Sequence, residues 1–143
     1  IAAVAARYNR FTCEYFGETV FSAAIPPLEQ IDRLFEAVYL FHKKTKTETG
    51  KVMGCLNINL SAELSTQDQY LSEQLAQHLC DSITPIEAAL KQAVANGALS
   101  TVDTHTSAEA IFAYLQGLVV MAKAQNDPDV ILRLSKGVRA LIK

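Results

Sequence analysis

Apolar residues recur at steps of three and four along nearly the whole chain, which is the spacing of one face of an α-helix. The first such stripe predicts a helix over residues 1–22, and the second predicts one from Pro27 to about Lys44. No segment of the sequence shows the alternation between hairpin turns that is typical of a β-strand. The pattern therefore predicts an all-α fold.

A third and a fourth helix are predicted to follow a polar loop at residues 45–50, where the apolar stripe stops. The third covers residues 52–64. The fourth covers residues 66–96 and begins with a Thr-x-x-Gln capping box. Because Pro85 lies inside this helix, removes one backbone hydrogen bond and crowds the preceding turn, we expect a kink there.

A second capping box, formed by Thr106 and Glu109, predicts the start of a fifth helix that extends to about Ala122. Asp127-Pro128 then opens a sixth helix, because aspartate caps helix ends and proline suits the first helical turn. Both of these helices carry apolar residues on more than one side. We therefore expect one side to meet the core and another to meet a second subunit.

The composition fits a single domain of 143 residues, of which half are hydrophobic and 20% are charged. So apolar a chain needs either a large core or a partner that covers part of its surface. The net charge is −2 and no stretch is strongly basic. Since nucleic-acid binding rests on many contacts between basic side chains and phosphates, this chain alone is not expected to bind DNA.

Other classes of protein are excluded by missing patterns in the sequence. No apolar run reaches the ~18 residues of a membrane span. The three cysteines, Cys13, Cys55 and Cys80, have neither the number nor the spacing of a disulfide framework or a metal knuckle, and a reducing cytoplasm fits them best. The three histidines lack ligand spacing, and no catalytic motif is present. We therefore expect no metal, no cofactor, no membrane partner and no enzymatic activity.

The order of a short helix, a long kinked helix and two closing helices resembles the regulatory domain of TetR/AcrR-family transcriptional repressors. The resemblance covers residues 50–143 well and residues 1–49 only in helix pattern. It is carried by four motifs in this order: Gly54-Cys55-Leu56, Asn59-Leu60-Ser61-Ala62-Glu63, Ala95-Asn96-Gly97-Ala98-Leu99 and Leu115-Gln116-Gly117-Leu118. The family's DNA-reading helix-turn-helix is not in this sequence, which does not begin with Met, so a longer protein is expected.

The resemblance implies a six-helix regulatory domain in which residues 1–103 form an effector pocket. Residues 104–143 would pair with their counterparts in a second subunit, giving a homodimer held by a four-helix bundle. A small effector would alter operator binding, and DNA would be contacted only through the absent N-terminal domain. The residues expected in the dimer interface are Ile111, Leu115, Gly117, Leu118, Val130, Leu134, Val138 and Leu141.

Aromatic side chains with a few polar anchors are the usual lining of a small-molecule site. The candidates for ligand binding are Tyr8, Phe11, Tyr15, Phe35, Tyr39, Met53, Asn57, Phe112 and Gln116. Plain core packing is the alternative for each aromatic residue. The scarcity of charged residues in the apolar stripes favours a neutral or weakly polar effector.

Two other functions are compatible with the sequence. Cys55 precedes a helix whose dipole favours a thiolate, and some oxidant- and electrophile-sensing relatives resemble this chain at Cys55 and at Lys123. A thiol-based sensor on the same fold is therefore one alternative, with Cys13 and Cys80 expected in the core. The other alternative is a helical-bundle enzyme or small-molecule carrier.

Overall fold

The computed structural model describes residues 1–22, 24–100 and 102–142, and within these ranges every regular element is helical. The all-α prediction with six α-helices is confirmed, and a 3₁₀ helix follows the last of them. The elements are α1 (Ala2–Thr19), α2 (Pro27–Thr49), α3 (Leu56–Leu64), α4 (Gln69–Ala95), α5 (Thr104–Gln125), α6 (Asp129–Leu134) and the 3₁₀ helix Ser135–Leu141.

Helix α2 is longer than predicted, and the predicted loop at residues 45–50 is wrong. The helix continues to Thr49, and Gly50 ends it with a left-handed φ of 81°. The hydroxyl groups of Thr45 and Thr49 donate to carbonyl oxygens one helical turn earlier, at 2.9 and 2.8 Å. A polar, solvated last turn therefore has the composition of a loop while keeping the geometry of a helix.

The capping boxes predicted at residues 66–69 and 106–109 do not form the helix starts. Asp68 caps α4 and Asp103 caps α5, each accepting a hydrogen bond of 3.0 Å from the backbone N–H of the third helical residue. A carboxylate satisfies this N–H and also interacts favourably with the positive end of the helix dipole. The aspartates therefore set both starting points.

Helix α3 begins at Leu56, later than predicted, because the preceding residues are held in an extended segment by the end of α5. The N–H of Val52 donates to the side-chain oxygen of Asn126 at 2.8 Å. The Asn126 amide donates to the Gly50 carbonyl at 3.1 Å, and Lys46 Nζ donates to the Asn126 carbonyl at 2.7 Å. These four residues form what we call the Asn126 clasp.

The sixth helix is shorter than predicted and changes to a 3₁₀ helix after Leu134. The hydroxyl of Tyr114 donates to the Leu134 carbonyl at 2.6 Å and therefore occupies an acceptor that a continuing α-helix would use. A side chain at Gly137 would overlap that hydroxyl. Tyr114 of the same chain therefore packs closely against Gly137.

The main core lies between α2, α4, α5 and α6. Its largest fully buried apolar side chains are Ile31, Phe35, Ile86, Leu90, Ile111, Val130, Ile131 and Val138, with Val20 from the end of α1. Helix α1 itself buries only Ala5, in a small second cluster with Leu71 and Leu75 of α4. Helix α4 continues through Pro85, and the kink there stays a prediction.

Candidate functional site

A cavity of about 280 Å³ lies between α1, α2, α4, α5 and the extended segment before α3. Its position follows from the fold, because α4 packs against α1, α2 and α5, whereas α5 has little direct contact with α1 or α2. Most of its wall is apolar and is formed by Phe16, Phe21, Leu34, Val38, Phe41, Pro85, Ile86, Phe112, Leu115 and Val119.

His42 of α2 brings an imidazole into this apolar wall. The side chain is only 4% exposed, and its ring packs edge-on against Phe41 with 5.3 Å between the ring centres. Among the described residues, no group hydrogen-bonds to its Nδ1 atom. Burial lowers the pKa of His42 to about 4, because the protonated ring would lose its hydration. His42 is therefore neutral at physiological pH.

His78 of α4 lies on the same cavity and is 6% exposed. Burial lowers its pKa as well, while the nearby Asp81 carboxylate acts in the opposite direction. Its Nε2 atom lies 3.3 Å from the Ser82 hydroxyl, and its Nδ1 has no partner in the described part of the chain. The side-chain oxygen of Gln116 on α5 is also buried and has no hydrogen-bond partner in the described part of the chain.

Tyr8 and the thiols add weakly acidic groups to the wall. Burial, and then the neighbouring Cys55 thiol, raise the pKa of Tyr8 above its usual value. Burial also raises the pKa of Cys13, together with the charges of Asp81 and Glu14. Both groups are therefore protonated near neutral pH. Among the described residues that line the cavity, Asp81 is the only one with a carboxyl group, and none is a lysine or an arginine.

The structure brings three of the nine predicted ligand-binding residues to the cavity: Tyr8, Phe112 and Gln116. The other six are elsewhere. Phe35 and Tyr39 are part of the main core, Asn57 is buried against Asn9, and Met53 is exposed at the surface. Phe11 is exposed and Tyr15 is half-buried, and both pack against Phe41 without lining the cavity.

The outer aromatic cluster consists of Phe11, Tyr15, Phe16 and Phe41. Its ring centres lie 5.1 to 6.4 Å apart. Phe16 and Phe41 also line the cavity, so the cluster connects the cavity wall to the exposed face of α1.

The sequence contained a signal for the two buried histidines that the search for metal spacing did not use. His42 follows Val38 by four residues, and His78 follows Leu75 by three and Leu71 by seven. Both histidines therefore continue the apolar stripes of their helices, a position that predicts burial. Of the described residues, no three of the His, Cys, Asp or Glu type are arranged to hold a metal ion.

Cys55 lines the cavity, and Lys123 lies at the same corner of the molecule. Gly54 has a left-handed φ of 78°, and the Lys123 Cδ atom lies 3.0 Å from where a Gly54 side chain would begin. The expected burial of Cys13 and Cys80 is wrong, because both are exposed, and Cys13 lies at the cavity rim.

Most of the residues predicted for the dimer interface have their surface covered within one subunit. Ile111, Leu115, Leu118, Val130 and Val138 are buried in the main core, and Leu134 and Leu141 are partly buried against it. Gly117 is exposed. Helical spacing identifies the apolar residues of a helix, but it does not say which side faces the core when both sides are apolar.

Comparison with known proteins gives a family and a fold. Residues 27–138 match the family model described as the tetracyclin repressor-like C-terminal domain. No curated protein matches the chain. The fold is similar to that of the regulatory protein TetR from Rhodobacter sphaeroides, with a TM-score of 0.83 and 20% identity over 99% of this chain and 74% of that chain. No helix of the described residues is long and apolar enough to cross a membrane.

The family model matches more than three quarters of the chain. The matched residues include α2 to α6 and most of the 3₁₀ helix. The resemblance stated from the sequence is confirmed. The chain belongs to the tetracyclin repressor-like C-terminal domain family and is a regulatory rather than a catalytic domain.

Proposed function

We propose that this domain binds a small effector and dimerises as part of a TetR-like transcriptional repressor. The observation that carries the proposal is the cavity, whose wall is largely apolar and is interrupted by a few buried polar groups from different helices. This combination is typical of small-molecule sites, because apolar contact supplies affinity and the polar groups select orientation.

Regulation would follow from unequal binding to two arrangements of the cavity wall. Helix α1 forms one side of the cavity and buries only Ala5 along its length. A ligand that fits one placement of α1 against α4 better than another shifts the population toward that placement. Pro85 lines the cavity and is the proposed bending point of α4. The shift would reach DNA through a domain that is not in this chain.

The cavity can be tested with a variant that fills it. Ser82→Phe would place a ring at the wall, whereas Thr84→Phe places the same ring on an exposed position of α4. We expect the first variant to lose at least ten-fold affinity for N-phenyl-1-naphthylamine, a neutral fluorescent probe, and the second to bind as the wild type does. Equal binding by the two variants would place the probe outside the cavity.

Native mass spectrometry of the purified protein addresses a natural effector directly. We expect a dimer that carries extra mass, and we expect that mass to leave on denaturation. The released mass would then identify the effector. A bare monomer would contradict both parts of the proposal.

A homodimer interface is proposed on the exposed side of α5. Its apolar and small residues recur at helical spacing: Ala113, Gly117, Val120, Met121 and Ala124. Val120 and Leu40 are a matched pair for a test, because their side chains are 49% and 50% exposed on different helices. In analytical ultracentrifugation, Val120→Glu is expected to give monomers and Leu40→Glu to remain dimeric. Dissociation by Leu40→Glu alone would move the interface to α2.

A thiol sensor on the same fold is the second candidate, supported by the position of Cys55 on the cavity and of Lys123 beside Gly54. In this case hydrogen peroxide would oxidise the Cys55 thiol to a sulfenic acid and be reduced to water. Mass spectrometry after peroxide treatment would show one added oxygen on Cys55, and Cys55→Ser would abolish the effect of peroxide on operator binding by the complete protein. A peroxide response that survives this substitution contradicts the candidate.

A further inference from the structure

Three buried polar atoms, each on a residue that lines the cavity, have no hydrogen-bond partner within residues 1–22, 24–100 and 102–142. They are Nδ1 of His42, Nδ1 of His78 and the side-chain oxygen of Gln116, and they come from α2, α4 and α5. Folded proteins pair nearly all of their buried polar atoms, because an unpaired one has lost water without gaining a partner. Three such residues on one cavity indicate that a bound molecule completes their hydrogen bonding.

The charges around the cavity restrict what that molecule can be. Both imidazoles are neutral because burial lowers their pKa values, and no lysine or arginine is among the described residues that line the cavity. A carboxylate or phosphate would therefore lose its hydration without meeting a positive charge. Asp81 also lines the cavity, but it is exposed to solvent and its carboxylate already accepts a hydrogen bond of 2.9 Å from Gln77, so it does not require a bound cation.

The type of polar group also follows from the three side chains. The amide oxygen of Gln116 only accepts hydrogen bonds, and a neutral imidazole offers one nitrogen that accepts and one that donates. A hydroxyl group that donates its one proton to the Gln116 oxygen can still accept hydrogen bonds from imidazole nitrogens that carry a proton, so a single hydroxyl can pair with all three side chains. The cavity volume of about 280 Å³ lies near the small end of the ligand-site range of ~300–1,000 Å³.

We infer that the cavity selects an uncharged, mainly apolar molecule that carries a hydroxyl group, and that His42, His78 and Gln116 recognise this hydroxyl. The inference rests on the proposed effector function. It goes beyond that function by naming the chemical class of the effector and the side chains that distinguish it from a hydrocarbon or an ion of the same size.

Four probes of nearly equal shape separate these classes: ethylbenzene, 4-ethylphenol, 4-ethylbenzoate and 4-ethylbenzylamine. Their binding to the purified protein at pH 7.5 is measured by NMR titration. We expect 4-ethylphenol to bind about ten-fold more tightly than ethylbenzene, as one added hydrogen bond of about 1.4 kcal/mol gives. The benzoate and the benzylamine are expected to bind more weakly than ethylbenzene, because each must be desolvated as an ion.

Variants of the wall assign the preference to particular side chains. Gln116→Met and His42→Phe keep the size of the side chain and remove its hydrogen-bonding groups. Each is expected to reduce the preference for 4-ethylphenol over ethylbenzene to three-fold or less. His105→Phe is the control, because His105 lies on the surface with a side chain that is 63% exposed. The ring resonances of His42 and His78, and not of His105, should shift when 4-ethylphenol is added.

The outcomes separate this inference from the proposed function. Equal binding of ethylbenzene and 4-ethylphenol would overturn the inference and leave an apolar effector site in place. Tightest binding by the benzoate or the benzylamine would overturn the uncharged class and again leave an effector site. Binding by none of the four probes would contradict the effector cavity itself, and the inference with it.

Discussion

Helices α1 and α2 enclose the same cavity but differ in how firmly they are held. Helix α2 buries eight of its residues, while α1 buries only Ala5 over 18 residues. Segments with few buried apolar contacts open at lower free energy than those that form the core. The comparison teaches that the α2 wall of the cavity is fixed by packing, and we expect α1 to be the wall that the proposed effector would displace at lower cost.

The largest expected effect on stability comes from truncating one aromatic residue in each helix, and it tests whether α2 is held more firmly than α1. Phe35 of α2 is 1% exposed, whereas Phe11 of α1 is 50% exposed. Phe35→Ala is expected to lower the free energy of unfolding by about 3–5 kcal/mol, because it leaves a cavity in the core. Phe11→Ala should cost about 1 kcal/mol or less. Urea unfolding measures both, and similar losses would mean that α1 is packed as firmly as α2.

A variant of the Asn126 clasp tests whether the segment before α3 is held in place by its contacts with the end of α5. Asn126→Ala removes two long-range hydrogen bonds and leaves a non-glycine residue at a φ of 50° without its side-chain contacts. We expect a loss of about 2–3 kcal/mol in urea unfolding. Asn96→Ala is the matched control, because its side-chain oxygen accepts a local hydrogen bond from the Ala98 N–H, two residues away. An equal loss in the control would show that the clasp adds nothing beyond a local turn.

Gly137 provides a test of how tightly the core is packed beside the 3₁₀ helix. Because glycine has no side chain, the Tyr114 hydroxyl fits against it. Gly137→Ala is expected to cost about 1–3 kcal/mol by overpacking. Tyr114→Phe removes the hydroxyl that the new methyl group would meet. The double variant should therefore be more stable than the sum of the two single losses predicts. Purely additive losses in urea unfolding would exclude the contact as their cause.

The smallest effect concerns the surface contact of His105 with Glu87, which joins α5 to α4 at 3.0 Å. Hydrogen bonding to Glu87 raises the pKa of His105, so its stabilisation is complete below the ordinary value of 6.5 and is lost as pH rises through the raised value. The pKa of Glu87 is lowered, mainly by its hydrogen bond with His105, so its share is present above 4.5 and lost as pH falls through the lowered value.

The contact is therefore expected to contribute most between pH 4.5 and 6.5. Urea unfolding of His105→Gln should show less loss of stability between pH 6 and pH 9 than the wild type does. Superimposable profiles for the two proteins would mean that the contact does not contribute in solution.

Helical periodicity predicted the number and order of the α-helices but not several of their ends. The ends at Thr49 and Leu134 depend on the Gly50 turn and on the Tyr114 hydroxyl, and the start at Leu56 depends on Asn126, about 70 residues away in sequence. Contacts of this kind have no local pattern, so periodicity cannot reveal them.

The sequence predicted the chemical character of the candidate site better than it predicted which residues line it. Phe112 and Gln116 were found because they share a face of α5, whereas Phe35 and Tyr39 share a face of α2 that points into the core. Spacing along a helix gives a face, and only the packing of the other helices decides whether that face borders a cavity. His42 shows the reverse case, in which burial was readable and its place on the cavity was not.

The outer aromatic cluster provides a spectroscopic signal that depends on the state of the cavity. The chain has no tryptophan and five tyrosines, so its near-ultraviolet signal comes mainly from tyrosine. The Tyr15 ring lies 6.1 Å from Phe41, whose ring lines the cavity. A molecule that turns Phe41 therefore changes the asymmetric surroundings of Tyr15. The difference between wild type and Tyr15→Phe in circular dichroism isolates that change, which gives this domain an intrinsic optical reporter of occupancy that needs no label.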